Sequence, residues 1–329
     1  MTPPTAMDAT SADTTPDAAP RLGPGTSAAL PSALVTGVGA SGHPGGPVVS
    51  TRDASLSFGE RVLWSRLNLD IAPGQFVAIL GSNGSGKTSL IRVLLGEQPL
   101  SSGRAWIAGE PVQRGSTKVG YVPQKVSIDE GTMIKARDLV RMGMDGHRWG
   151  MPIGFARSRR AIRRTTDTLL ASVGAAGLGD APVSMLSGGE LQRVRVAAAL
   201  ASNPSILLTD EPLAALDLRH QQEVAALLDR RRREHGTAVL FVTHDINAVL
   251  GYVDQVLYLA AGRFRLGPPQ DVLTSRGLTE LYGAPVDVIH AQGRIIVVAS
   301  SDPGAGVHLS DDDHGATDPP MSTTRRFRQ

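Results

Sequence analysis

Cysteine is absent from the 329 residues, which excludes a disulfide scaffold, a thiol nucleophile and any zinc or iron–sulfur site held by thiolates. An excess of charge is also nearly absent: 33 lysines and arginines face 31 acids, a net charge of +2. That balance offers no basic field to nucleic acid or to an anionic membrane surface, so neither is expected as a direct partner. No uncharged apolar run approaches the roughly 20 residues that a membrane-spanning helix needs. Acids stand near the N-terminus where a secretory signal would carry a basic stretch. Internal repeats and long heptad runs are missing. The reading is a soluble intracellular chain.

The two ends are poor in a different way. Residues 1–48 hold 35 Gly, Pro, Ala, Ser and Thr and no Phe, Trp, Tyr or Ile. Such a segment buries too little apolar area to offset its ordering entropy, and it is expected to be a disordered N-terminal extension. Residues 301–329 read as a disordered C-terminal tail, with Asp311, Asp312, Asp313, His308 and His314 ahead of a basic end at Arg325, Arg326 and Arg328. Residues 49–300 suffice for one well-cored domain.

Within that middle, Val49–Phe58 and Leu67–Ile71 alternate as strands do. Phe76–Leu80, Ile206–Leu208 and Ala238–Val242 are apolar runs without alternation, separated by helical patterns. Runs of that kind belong to a parallel sheet covered on both faces, and ligands bind such sheets at the carboxyl ends of the strands. Residues 125–202 show helical patterns and no convincing strand, so a helical insertion is expected there. Its Arg157, Arg159, Arg160, Arg163 and Arg164, like Arg230–Arg233, read as solvated helix faces.

Each apolar run ends in polar residues. Gly81-Ser82-Asn83-Gly84-Ser85-Gly86-Lys87-Thr88 follows the first and opens a helical pattern over Lys87–Leu95, the full G-x-x-x-x-G-K-[ST] of a phosphate loop in its required context. Glycines let backbone N–H groups close around phosphate oxygens, Lys87 supplies a point charge, and the Thr88 hydroxyl can ligate Mg²⁺, with Ser89 next in line as a nucleotide contact. The second run ends in Asp210-Glu211. Successive side chains on a strand face opposite ways, so the two acids take different roles: Asp210 to hold Mg²⁺, Glu211 to orient the attacking water.

Further motifs carry a family resemblance. Leu186-Ser187-Gly188-Gly189-Glu190 resembles the signature motif of ATP-binding cassette (ABC) ATPases. Gly120-Tyr121-Val122-Pro123-Gln124 resembles the Q-loop, Leu216-Asp217 the D-loop, and Thr243-His244-Asp245 the switch histidine. Phe58-Gly59 resembles the aromatic A-loop on which adenine stacks. The match covers 49–270 with the motifs in order; the serine often found three residues before the D-loop aspartate is Ala214 here.

The resemblance implies an α/β P-loop cassette with a RecA-like parallel-sheet core, an N-terminal antiparallel β subdomain and a helical subdomain at about 125–202. It implies ATP and Mg²⁺ as cofactors, with Glu211, His244 and Gln124 catalytic and Thr88, Gln124 and Asp210 around the metal. It also implies that Ser187, Gly188 and Gly189, on a helix over 189–201, act with Asp217 on nucleotide held by an opposing subunit. A homodimer follows, with an integral membrane permease and an extracellular substrate-binding protein as further partners. The chain would then sit on the cytoplasmic face of the membrane through the permease. Asp138–Gly143, Leu218–Gln221 and Val253–Ala260 resemble importers of metals and metal chelates, and Val272-Leu273-Thr274 followed by Leu281-Tyr282-Gly283-Ala284-Pro285-Val286 resembles the C-terminal end of manganese/zinc-type importer ATPases. An iron-siderophore or corrinoid importer ATPase is the alternative, and a soluble non-transport ABC ATPase a more distant one.

Overall fold

A computed structural model describes residues 46–124, 133–145, 156–214 and 216–299. The expectations for the two ends therefore lie outside the described residues, apart from residues 46–48. Val48 is buried and its N–H donates to the Ile71 carbonyl, so ordered backbone begins before the alternating strand.

Val49–Phe58 forms β1 and Arg61–Ile71 forms β2, antiparallel, with Phe58 opposite Arg61 across the turn at Gly59-Glu60. Next come β3 (Phe76–Gly81) and α1 (Lys87–Leu94). The following β4 (Ser102–Ile107) and β5 (Glu110–Pro111) return to the first sheet, whose order is β2-β1-β4-β5. This is the expected N-terminal antiparallel subdomain.

The second sheet carries the chemistry. Its strands are β3, β6 (Val119–Val122), β7 (Ile206–Asp210), β8 (Ala238–Val242), β9 (Gln255–Ala260) and β10 (Arg263–Gly267), in the order β10-β9-β3-β8-β7-β6. All neighbours in it are parallel except β9 and β10. Every residue of β7 and β8 is buried, which explains the absence of polar alternation in those runs. Alternate residues serve opposite cores. Phe76, Ala78, Leu207, Val239 and Phe241 face a core shared with the helices, and the rings of Phe76 and Phe241 pack tilted at 38° with centroids 5.6 Å apart. Val77, Ile79, Leu208 and Leu240 face the antiparallel sheet and α1.

The span read as a helical insertion contains α2 (Ala136–Asp145), α3 (Ala156–Ser172) and α4 (Gly188–Leu200), with one isolated bridge, Lys135 to Pro182. Gly143 lets α2 cross α4 closely, since a Cβ there would stand 2.0 Å from the Ala198 carbonyl oxygen. Then come α5 (Leu218–His235), the short α6 (Pro269–Val272), α7 (Ser275–Tyr282) and the hairpin of β11 (Val286–Ala291) and β12 (Arg294–Ala299). Among the described residues no helix is long and apolar enough to cross a membrane.

Candidate active site

The carboxyl edge of the second sheet gathers the predicted residues. Gly81 ends β3 with φ 142°, and a Cβ there would lie 2.1 Å from the Leu259 carbonyl oxygen, so only glycine lets the loop leave the sheet at this point. Gly86 takes φ 99° as N-cap of α1, and no side chain caps that helix, which leaves its first N–H groups facing the loop. Eight residues are too few for a helix to persist alone. Buried Leu90, Ile91, Val93 and Leu94 hold α1 in place.

Lys87 is buried, and its Nζ donates to the carbonyls of Gly81 at 2.7 Å and Ser82 at 3.0 Å. Burial pushes its ammonium below the usual lysine range, opposed by the charges of Glu211 and Asp210. Within the loop, Ser85 Oγ is buried with no hydrogen-bond partner. A buried hydroxyl left so costs about 1–3 kcal/mol, and a phosphate oxygen is the kind of group that would remove the cost.

At the end of β7, Asp210 is buried, and burial raises its carboxyl above the ordinary aspartate range; a hydrogen bond from the Thr88 hydroxyl is the largest opposing influence. That hydroxyl–carboxylate pair suits a hard cation such as Mg²⁺, which prefers oxygen ligands in a phosphate site. Glu211 leaves the strand with φ 46°, a left-handed conformation uncommon outside glycine, while its N–H still donates to the Val242 carbonyl. Asp210 is therefore the last strand residue, and Glu211 stands outside the strand's alternation.

Glu211 Oε2 accepts a hydrogen bond from Gln124 Nε2 at 2.6 Å and stands 3.7 Å from His244 Nδ1. Gln124 follows β6, and His244 follows β8 in a turn that the Thr243 hydroxyl shapes by donating to the Asp245 carbonyl. One carboxylate thus joins residues from three strand ends. Phe58 is 51% exposed, an aromatic face open to solvent rather than a core residue.

Among the described residues, no hydrogen bond or ion pair joins Ser187, Gly188 or Gly189 to this cluster. Ser187 caps α4 in a reciprocal capping box with Glu190, so the helix begins at Gly188, one residue earlier than the start read from the sequence. Asp217 caps α5 by accepting from the His220 N–H.

Three neighbours escaped the sequence reading. Arg61 donates to the Gly84 carbonyl at 2.9 Å, tying the β1–β2 turn to the phosphate loop; its place just across a turn from Phe58 was the available signal. The buried indole of Trp64 underlies Gly86, where a Cβ would come within 2.9 Å of it. His220 packs on Gly189. Nothing in a linear pattern signals these last two contacts.

The sequence profile described as ABC transporter matches residues 64–214. A zinc import ATP-binding protein, ZnuC, of Halorhodospira halophila is 34% identical over 72% of this chain and 84% of its own. A manganese transport system ATP-binding protein, MntB, of Bacillus subtilis is 32% identical over 71% of this chain and 92% of its own. Among solved structures, cbiO1 of Clostridium perfringens, part of the ABC transporter complex cbiONQ, superposes with a TM-score of 0.60 at 27% identity, over 71% of this chain and 94% of that one.

Proposed function

Because the chain belongs to the ABC transporter ATP-binding family and is an ATPase of that family, we propose that it powers import of a divalent metal, zinc or manganese, through a membrane permease. The observation that carries the site assignment is the convergence of Lys87, Thr88, Asp210, Glu211, Gln124 and His244 at one sheet edge.

In this reading Lys87 exchanges its bonds to two loop carbonyls for β- and γ-phosphate oxygens. Thr88, Asp210 and Gln124 supply the oxygen donors that would hold Mg²⁺, whose chemistry is to neutralise charge on the transferring phosphoryl group. Glu211 orients and polarises water, and His244 steadies charge that develops on the γ-phosphate. Phe58 offers its open face to adenine. Ser187, Gly188, Gly189 and Asp217 act on nucleotide held by a second copy, so two chains enclose two ATP molecules.

Cargo identity rests on the zinc and manganese import relatives. A permease is supported by a groove of about 550 Å³ between β6, α2 and α4, lined by Val119, Tyr121, Ile134, Leu139 and the half-exposed Met142. It lies next to Pro123 and so beside Gln124, which links a docked helix to Glu211. The chain is held at the cytoplasmic face of the membrane through that permease, and a substrate-binding protein on the outer side delivers the metal.

Deleting the gene and measuring growth and cell-associated metal tests the proposal. Loss of growth under zinc or manganese chelation, restored by the gene and not by its Glu211→Gln version, is expected. Unchanged metal uptake, or co-sedimentation of the protein with ribosomes in place of membranes, overturns it.

A further inference from the structure

His220 stands between two segments that are twenty-eight residues apart in the chain. On one side its ring lies against Gly189, where a Cβ would come within 2.7 Å of Cδ2 and 2.9 Å of Cγ. On the other side its Nδ1 meets Asp217 Oδ2 at 2.7 Å, while its N–H donates to Asp217 Oδ1 at 2.9 Å. Asp217, His220 and Gly189 therefore form one continuous contact from the cap of α5 to the first turn of α4.

A second rung lies one turn further along both helices, where Arg193 donates to Glu223 at 2.7 Å and Arg219 donates to the other oxygen of Glu223 at 3.1 Å. The two inter-helix contacts, His220 on Gly189 and Arg193 to Glu223, join the starts of α4 and α5 at two points one turn apart. Gln221 adds a third tie, donating to the Leu216 carbonyl at 3.0 Å, so the segment ahead of Asp217 follows α5. Gly189 has a reason to be glycine that phosphate binding does not supply: any side chain there displaces the ring.

We infer that His220 is a positioning residue of the ATPase, locking the Ser187–Gly189 helix start to the Asp217 cap so that both are presented together to nucleotide held by a second copy of the chain. The inference rests on the two-chain reading proposed above. It places His220 outside the chain's own phosphate loop, with its effect confined to closure of two chains around ATP.

The test uses the full chain carrying Glu211→Gln, with and without His220→Ala, and reads three quantities. These are the affinity of dilute monomer for a fluorescent ATP analogue, the thermal midpoint, and the Mg-ATP concentration that gives half-maximal dimer on sizing chromatography. We expect His220→Ala to raise the dimerisation midpoint by about tenfold, within the range of typical coupling between sites, and to leave monomer affinity within about twofold. His220→Asn, which keeps a donor for Asp217, should recover part of the loss, and this variant decides the matter if His220→Ala lowers the thermal midpoint. Gly189→Ala should impair dimerisation alone and add little once His220 is alanine, because the Cβ then has room. An unchanged dimerisation midpoint in both His220 variants, or an equal loss in monomer affinity, overturns the inference alone. A Glu211→Gln parent that stays monomeric in Mg-ATP overturns the two-chain reading and the inference with it.

Discussion

Gln124 donates its side-chain amide to Glu211 Oε2 at 2.6 Å across eighty-seven residues of sequence, and His244 Nδ1 stands 3.7 Å from the same oxygen. The carboxylate proposed to polarise water is thus occupied by the residue that leads to the groove between α2 and α4. Glu211→Gln keeps the shape and an acceptor for Gln124 and removes the charge. Turnover should fall by about 10²–10⁴-fold, the usual contribution of a positioned acid or base. ATP-bound dimers should accumulate, which sizing chromatography in Mg-ATP reads directly. Wild-type turnover in this variant would move the role elsewhere.

Among the described residues no hydrogen bond joins Ser187 to Lys87, and the two-chain arrangement predicts complementation. Lys87→Ala and Ser187→Arg proteins should each be inactive, the first with weakened nucleotide binding. Their mixture should regain a share of activity or nucleotide trapping, because each heterodimer contains one intact loop facing one intact signature. A mixture that forms heterodimers yet traps no nucleotide counts against the arrangement.

Asp210 is held above the ordinary aspartate range by burial, so its ionised form is disfavoured in the folded chain. Its stability contribution is fully present below the unfolded-state pKa and is lost as pH rises through the folded-state value. Asp210→Asn escapes that loss. The variant should melt above the parent at neutral pH, by about 2–4 °C for each kcal/mol recovered, with the gap closing toward about pH 4. Its ATPase activity should be abolished. Melting curves across pH, without nucleotide, check the sign.

Gly86 combines φ 99° with an indole 2.9 Å from where a Cβ would stand. Gly86→Ala therefore meets backbone strain and a fixed aromatic wall together. A loss of about 1–3 kcal/mol is expected from the strain alone, read by denaturant titration. Because Trp64 forms that wall, its emission should shift when nucleotide enters the wild-type loop, and a Trp64→Phe variant should lose that part of the signal.

Much of the sheet edge was legible because buried parallel strands read as bare apolar runs and each ends in polar residues with distinct chemistry. Phe76–Leu80, Ile206–Leu208 and Ala238–Val242 fall within β3, β7 and β8. Strands β4 and β6 were not legible: Ser102–Ile107 starts with exposed Ser-Gly-Arg, and Val119–Val122 is short and interrupted by glycine. Gly120 is needed there because a Cβ would lie 2.4 Å from the Ala199 carbonyl oxygen, a tertiary demand that no local pattern records. The Gln124–Glu211, Arg61–Gly84 and His220–Gly189 contacts share that character. Each joins segments whose proximity only the assembled sheet creates.

Lys87 commits two of its three N–H donors to the carbonyls of Gly81 and Ser82. These bonds tie the two ends of the loop together through its own lysine, so nucleotide binding in the proposed reading is a substitution of partners more than an act of folding. With little chain to fold, little apolar surface is buried, so the heat-capacity change on nucleotide entry to a single chain should be small. The large thermal signature is then reserved for the later event, when two such surfaces meet.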